Sequence, residues 1–153
     1  KISVKALCAA ADVNRSTFYA HYRNQYDLLA YIEAEALEDL KARLLADGEP
    51  RTRNVEKILE YAKENADVFL MLLDESEGGF QRQIMELAHL VDLQMSDQDA
   101  AVDADDLEYM YLFAVSGALG MLSHWLKKGT PQSPAEMSEL LMSMIQHGVE
   151  ERA

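Results

Sequence analysis

"SVKALCAAADVNRSTFYAHYRNQYDLL", residues Ser3–Leu29, decides how this chain is read. Ser3 is a good N-cap, and Val4, Leu7, Cys8 and Ala11 then recur at helical spacing, which predicts a short helix. Asp12–Asn14 interrupts it. Asp12 tolerates a left-handed backbone, and Asn14 is a strong N-cap for a second short helix from Arg15 to Tyr22. There Phe18 and Tyr22 lie four apart and face inward, while Arg15, Ser16, Thr17, Tyr19 and His21 occupy the other sides. A capped helix, a three-residue turn and a second short helix follow the helix-turn-helix plan, whose second helix enters the major groove of double-stranded DNA. The chemistry fits: Arg15 forks onto guanine or a phosphate, Ser16 and Thr17 are short donors, and Tyr19 and His21 reach further. The helix starts at Ser3 and Asn14 offer further phosphate sites. Pattern alone leaves a blander reading open, two ordinary amphipathic helices with solvated polar faces.

Working outward, the charge is partitioned. Residues 1–31 hold Lys1, Lys5, Arg15 and Arg23 against Asp12 and Asp27, within a chain whose net charge is −13. All the remaining excess of acid lies in residues 32–153, and such asymmetry points to two jobs in one chain. Asn24 caps a third helix, with Asp27 placed to complete the cap and Leu28, Leu29, Ile32, Ala36, Leu40 and Leu44 as its apolar stripe. Gly48 and Pro50 fall between polar residues in "DGEPRTR", Asp47–Arg53, so the boundary is placed there, giving domains 1–46 and 52–153. Beyond it, apolar residues at spacings of three and four predict helices over Val55–Leu73, Gln81–Gln94, Leu107–Lys128 and from Ser133 or Pro134 to Gly148. An acidic loop, "SDQDAAVDADD", separates the second and third of these. No strand pattern appears, and the fold class is all-α.

Other classes are disfavoured. No run approaches the ~20 apolar residues needed to span a bilayer, so no membrane partner is expected. The single cysteine, Cys8, excludes an internal disulfide and suits a reducing cytoplasm. Glu86 and His89 make one Glu-x-x-His pair, a spacing used in di-iron bundles, but those need the pair twice plus two further glutamates. His124 and His147 have no carboxylate three residues before them. No phosphate-cradling glycine loop, nucleophile elbow or His-x-x-x-His spacing occurs. No cofactor, no metal and no enzymatic activity are expected.

The opening stretch closely resembles the DNA-binding segment of TetR-family transcriptional regulators. Thr17, Phe18, Tyr19, His21, Tyr22, Leu28 and Leu29 match that family's pattern in order and spacing, over roughly residues 1–45. The resemblance implies that Arg15, Ser16 and Thr17 lie nearest the bases, with Tyr19, His21 and Ser3 on phosphates. It departs from the pattern twice. Asp12 stands where the family usually has a turn glycine, and Gln25 takes the interface position of its usual phosphate-binding lysine, which should lower salt sensitivity. The family also has a helix before Ser3, so a sequence starting at Lys1 is read as a fragment lacking it.

"YLFAVSGALGMLSHWLKKGTPQSPAEMSELL", Tyr111–Leu141, is more loosely similar to the family's ligand-binding and dimerisation domain. That implies a homodimer in which Leu107–Lys128 and residues 134–148 pack on their symmetry mates through Gly117, Gly120, Leu122, Leu141 and Ile145. A tight internal helix pair would use the same residues. A small-molecule pocket lined by Phe69, Met71, Met85, His89, Tyr111 and Phe113 is expected among the helices, although plain core accounts for each of these side chains too. Together these readings imply a cytoplasmic, bacterial-type regulator that binds operator DNA and senses a small-molecule effector or a protein co-activator. The rival is a helical protein-interaction module that has lost DNA affinity, which Gln25 and the acidic charge would permit. A helical metalloenzyme comes third.

Overall fold

The computed structural model describes residues 2–45, 51–75, 79–95 and 104–150. Among them lie eight helices and no strand: α1 (Val4–Ala10), α2 (Arg15–His21), α3 (Gln25–Leu44), α4 (Arg51–Glu64), α5 (Ala66–Glu75), α6 (Gly79–Met95), α7 (Ala104–Lys127) and α8 (Pro134–Glu150). The fold is all-α, as the sequence predicts. The chain divides into two compact units, Lys1–Glu38 and Asp39–Ala153, and the division falls inside α3. The glycine and proline of "DGEPRTR" and most of the acidic loop lie outside the described residues.

The first unit is built from local hydrogen bonds. The Ser3 hydroxyl accepts from the Ala6 N–H at 3.2 Å, and the Asn14 side chain accepts from the Ser16 N–H at 3.1 Å. Each satisfies a donor that a helix start leaves without a partner. α1 stops because Asp12 turns left-handed, at φ 52°, which lets the Val13 N–H donate to the Cys8 carbonyl at 2.9 Å. That is the six-to-one bond of a Schellman ending, made here without glycine. α3 opens on Asn24 Oδ1, which accepts from the N–H groups of Tyr26 and Asp27 at 2.9 and 3.0 Å. Asp27 reaches back to accept from the Arg23 N–H at 3.0 Å. Cys8 and Phe18 are buried where α1 packs on α2, and the Phe18 ring lies 5.6 Å from that of Tyr22. Tyr22 in turn meets Tyr31 on α3 at 5.8 Å.

The second unit is built from packing. α8 lies chiefly along α4, while α7 packs on α5 and α6. Leu59, Ala62, Phe69, Leu72, Phe80 and Trp125 make its dry centre, with the Phe69 ring edge-on to Tyr61 at 5.5 Å and against Phe80 at 6.1 Å. The predicted single helix over Val55–Leu73 is two helices, α4 and α5, which part at Asn65. The Asn65 Nδ2 donates to the Tyr61 carbonyl at 2.9 Å, alongside the residue's own backbone N–H at 3.1 Å, the local competition by which a short amide interrupts a helix. Apolar spacing continues across the joint, so periodicity cannot detect it.

α7 ends on a full Schellman motif, with Gly129 at φ 76°, its N–H on the Leu126 carbonyl at 3.0 Å and the Thr130 N–H on the Trp125 carbonyl at 2.9 Å. The Trp125 indole N–H donates to the Gln132 carbonyl at 3.1 Å and holds the following turn down. α8 then starts on a capping box. Ser133 Oγ accepts from the Glu136 N–H at 3.2 Å, and Glu136 Oε2 accepts from the Ser133 N–H at 2.8 Å.

Candidate nucleic-acid interface

α2 separates its side chains by role. Phe18 is buried and Tyr22, just past the helix end, is half-buried; Arg15, Ser16, Thr17, Tyr19, Ala20 and His21 are all exposed. Residues four apart share one side of a helix. Arg15 and Tyr19 therefore form one flank, Thr17 and His21 the other, and Ser16 with Ala20 the ridge between them, opposite the buried edge. The ridge is made of the smallest side chains, and three of the four flanking ones, Arg15, Tyr19 and His21, are long. Such a helix approaches a concave surface closely along its ridge while the flanking donors reach sideways. Ala20 is an element of this interface that the sequence reading missed. Its signal was available in its place four residues after Ser16 and two after Phe18.

The caps leave the right groups over. Ser3 uses its oxygen lone pair on Ala6, so its O–H remains a donor; Asn14 uses its Oδ1 on Ser16, so its amide N–H groups remain donors. Donors are what a phosphate oxygen requires. Lys5, Arg15 and Arg23 are exposed, and none of them forms an ion pair among the described residues. Gln25 is the first residue of α3 and half-buried. Ser3, Asn14, Arg15, Ser16, Thr17, Tyr19, His21 and Gln25 thus all sit on α2 or at the helix starts beside it.

The candidate pocket residues are scattered. Phe69 is wholly inside the core, Met71 and Met85 are half-buried, and Phe113 is 80% exposed. Tyr111 is half-buried and its hydroxyl donates to the Met85 carbonyl, a structural bond between α6 and α7. The His89 side chain lies outside the described ones. The second unit instead holds a half-open groove of about 400 Å³ between α5, α6 and α7, and of the candidates only Met85 lines it. Its other walls, Ser116, Ser123 and His124 among them, carry no signal in the sequence because they read as a plain helix face.

The candidate dimer residues also divide. Gly117 and Gly120 are exposed, and a Cβ built on either meets nothing within 4 Å. Leu122 and Leu141 are buried within the protomer and Ile145 is half-buried. Exposed apolar side chains on the two C-terminal helices are Tyr109, Leu112 and Phe113 of α7 and Leu140 and Met144 of α8. Among the described residues no group of three or more His, Cys, Asp or Glu is placed to hold a metal ion, and no helix is long and apolar enough to cross a membrane.

Comparison with known proteins follows these two units. Residues 52–147 match the TetR-family model described as "Transcriptional regulator C-terminal region". No curated protein matches the chain. Among solved structures, the dihydroxyacetone kinase operon activator DhaS superposes with a TM-score of 0.65 at 18% identity, covering 98% of this chain and 85% of that one. At that identity the likeness is one of fold. The family model spans more than half of the chain, and the chain belongs to the TetR family of transcriptional regulators.

Proposed function

We propose that this regulator acts as a homodimer whose α2 helices enter the major grooves of two operator half-sites, and that its C-terminal unit senses an effector. The observation that carries the DNA-binding reading is the outward face of α2, a Ser16–Ala20 ridge flanked by Arg15, Tyr19, Thr17 and His21. Arg15 reads a base edge, while the hydroxyl, amide and imidazole donors of Ser3, Asn14, Tyr19 and His21 fix the register on phosphates. Domains 1–46 and 52–153 take the two roles. The dimer forms through α7 and α8, which expose Phe113, Leu140 and Met144 and the bare backbone of Gly117 among the described residues. An effector held by the C-terminal unit shifts the population between operator-competent and incompetent states. The protein works in the cytoplasm, carries no cofactor and performs no catalysis.

The test is a titration of the full-length protein onto DNA from upstream of its own gene, read by fluorescence anisotropy at several salt concentrations against scrambled DNA. Tight binding to one segment with a salt-dependent affinity is the expected result. Equal, weak binding to both DNAs would transfer the chain to the protein-interaction reading.

A further inference from the structure

The buried edge of α2 fixes which way its opposite face looks. Phe18 is 8% exposed where α2 packs on α1, and Tyr22, just past the helix end, meets the Tyr31 ring of α3 at 5.8 Å. These two contacts set the roll of α2 from both sides. The Tyr19 ring lies edge-on to Phe18 at 5.5 Å, which holds that flank against the helix. Each residue turns an α-helix by about 100°, so Ala20 stands about 200° from Phe18, on the far side. It is exposed there.

Ala20 is the exception on this face. Arg15, Ser16, Thr17, Tyr19 and His21 all carry a hydrogen-bonding group, and Ala20 carries a bare methyl. In water that methyl has no partner to find, and alanine is simply the best helix former. Against DNA it has a consequence. The floor of the major groove presents donors and acceptors at every base pair and one apolar group, the 5-methyl of thymine. A methyl pressed on a donor or acceptor strips that group of water and returns no hydrogen bond. Pressed on the thymine methyl it forfeits nothing and removes apolar surface from water. The same side chain therefore favours thymine and penalises the other three bases.

We propose that Ala20 is a specificity-determining residue whose methyl reads the 5-methyl of one thymine in each operator half-site. The inference rests on the DNA-binding reading and deepens it, adding a base preference that the polar groups of α2 do not supply. Thr17 also carries a methyl, but on the flank it shares with His21 and beside the face that Ala20 occupies.

The probe is the duplex that the full-length protein enriches most strongly from a random-sequence pool, with each thymine replaced in turn by deoxyuridine. Uracil pairs as thymine does and lacks only the methyl. One such replacement in a half-site should weaken binding about three- to fivefold by fluorescence anisotropy, the fold-change of one buried methyl. At that position 5-methylcytosine should bind better than cytosine by the same factor. Ala20→Gly should bring the thymine-to-uracil affinity ratio there to about one. Thr17→Ser, which loses the methyl of the flank and keeps the hydroxyl, should leave the ratio as it was. Each ratio compares two duplexes on one preparation, so any loss of folded protein in Ala20→Gly cancels. A tightly bound duplex indifferent to uracil overturns the proposal and leaves the DNA-binding reading standing. So does a ratio that survives Ala20→Gly or collapses in Thr17→Ser. A pool that yields no enriched duplex ends both readings.

Discussion

The two units solve the problem of holding helices in place by opposite means. In the first, three short-range caps and one left-handed residue set where each helix starts and stops, and Cys8, Phe18 and Ala36 are its only buried apolar residues among those described. In the second, an aromatic centre reaches between distant helices, and Trp125 is both core and cap. A unit ordered by caps keeps nearly all of its side chains on the surface, which is what a reading head requires. A unit ordered by packing gives its side chains to the core and has room for a groove. The comparison therefore assigns different consequences to mutation in each half.

The largest effect belongs to the packed unit. Trp125 is 1% exposed, and Trp125→Ala removes a core-filling ring and the indole bond to Gln132. It should cost about 3–5 kcal/mol of stability, seen as a lower urea midpoint, with an operator affinity at low temperature that falls only as the fraction folded falls. No substitution on the exposed face of α2 should approach that cost. A comparable loss of stability from Arg15→Ala would end the distinction.

How much was legible follows the same division. Ser3, Asn14, Asp12 and Asn24 act within five residues of themselves, so their roles in capping and turning could be read from the order of residue types, and the structure places each of them there. The face of α2 was visible for the same reason, except that Ala20 offers no chemistry to notice. Packing depends on which distant residue arrives, and there the reading weakened. Phe69 and Phe113 look alike in sequence, yet one is sealed in the core and the other stands in the open. The groove was invisible because Ser116 and Ser123 carry no signal until α6 is set beside them, and Gly120 read as a dimer contact. Asn65 shows the limit from the other side: a local device, hidden by apolar spacing that runs through it.

On the proposed DNA-binding face of α2, the effects are on binding. Arg15→Ala should lose about 1–3 kcal/mol of discrimination between operator and scrambled DNA while the melting midpoint stays unchanged. Ala20→Leu sharpens the point. It adds bulk to the ridge without touching the buried edge, and leucine is nearly as good a helix former as alanine. Operator affinity should drop at least about tenfold with stability equal or slightly lower, measured by anisotropy and thermal melting on one preparation.

A smaller effect tests whether the caps alone order the first unit. Asp12 and Gly129 occupy equivalent places in two helix endings, at φ 52° and 76°. Asp12→Val should cost about 1–2 kcal/mol, because a β-branched residue fits the left-handed region poorly. Asp12→Gly should be tolerated and keep operator binding. Loss of DNA binding in Asp12→Val, restored by mild stabilising conditions, would show that the turn acts by placing α2 and not by contact.

The smallest effect asks whether a cap matters where packing rules. Ser133 and Glu136 bond each other's backbone at the start of α8, and the Glu136 carboxyl lies below its ordinary pKa of 4.5, first because it accepts from the Ser133 N–H and then from the Ser133 hydroxyl. Ser133→Ala should cost about 1 kcal/mol. The pH dependence has a fixed sign. A lowered carboxyl pKa contributes stability that is whole above the ordinary value and disappears as pH falls through the lowered one. The gap in urea midpoint between the protein and Glu136→Gln should therefore be constant at neutral pH and close below about pH 4.5. A gap that persists in acid would mean that Glu136 works through its shape and not its charge. Because α8 also packs along α4 and buries Met137 and Leu141, the loss should remain far below that of Trp125→Ala. A cap in the packed unit trims stability, whereas the caps of the first unit decide whether it has a face to present.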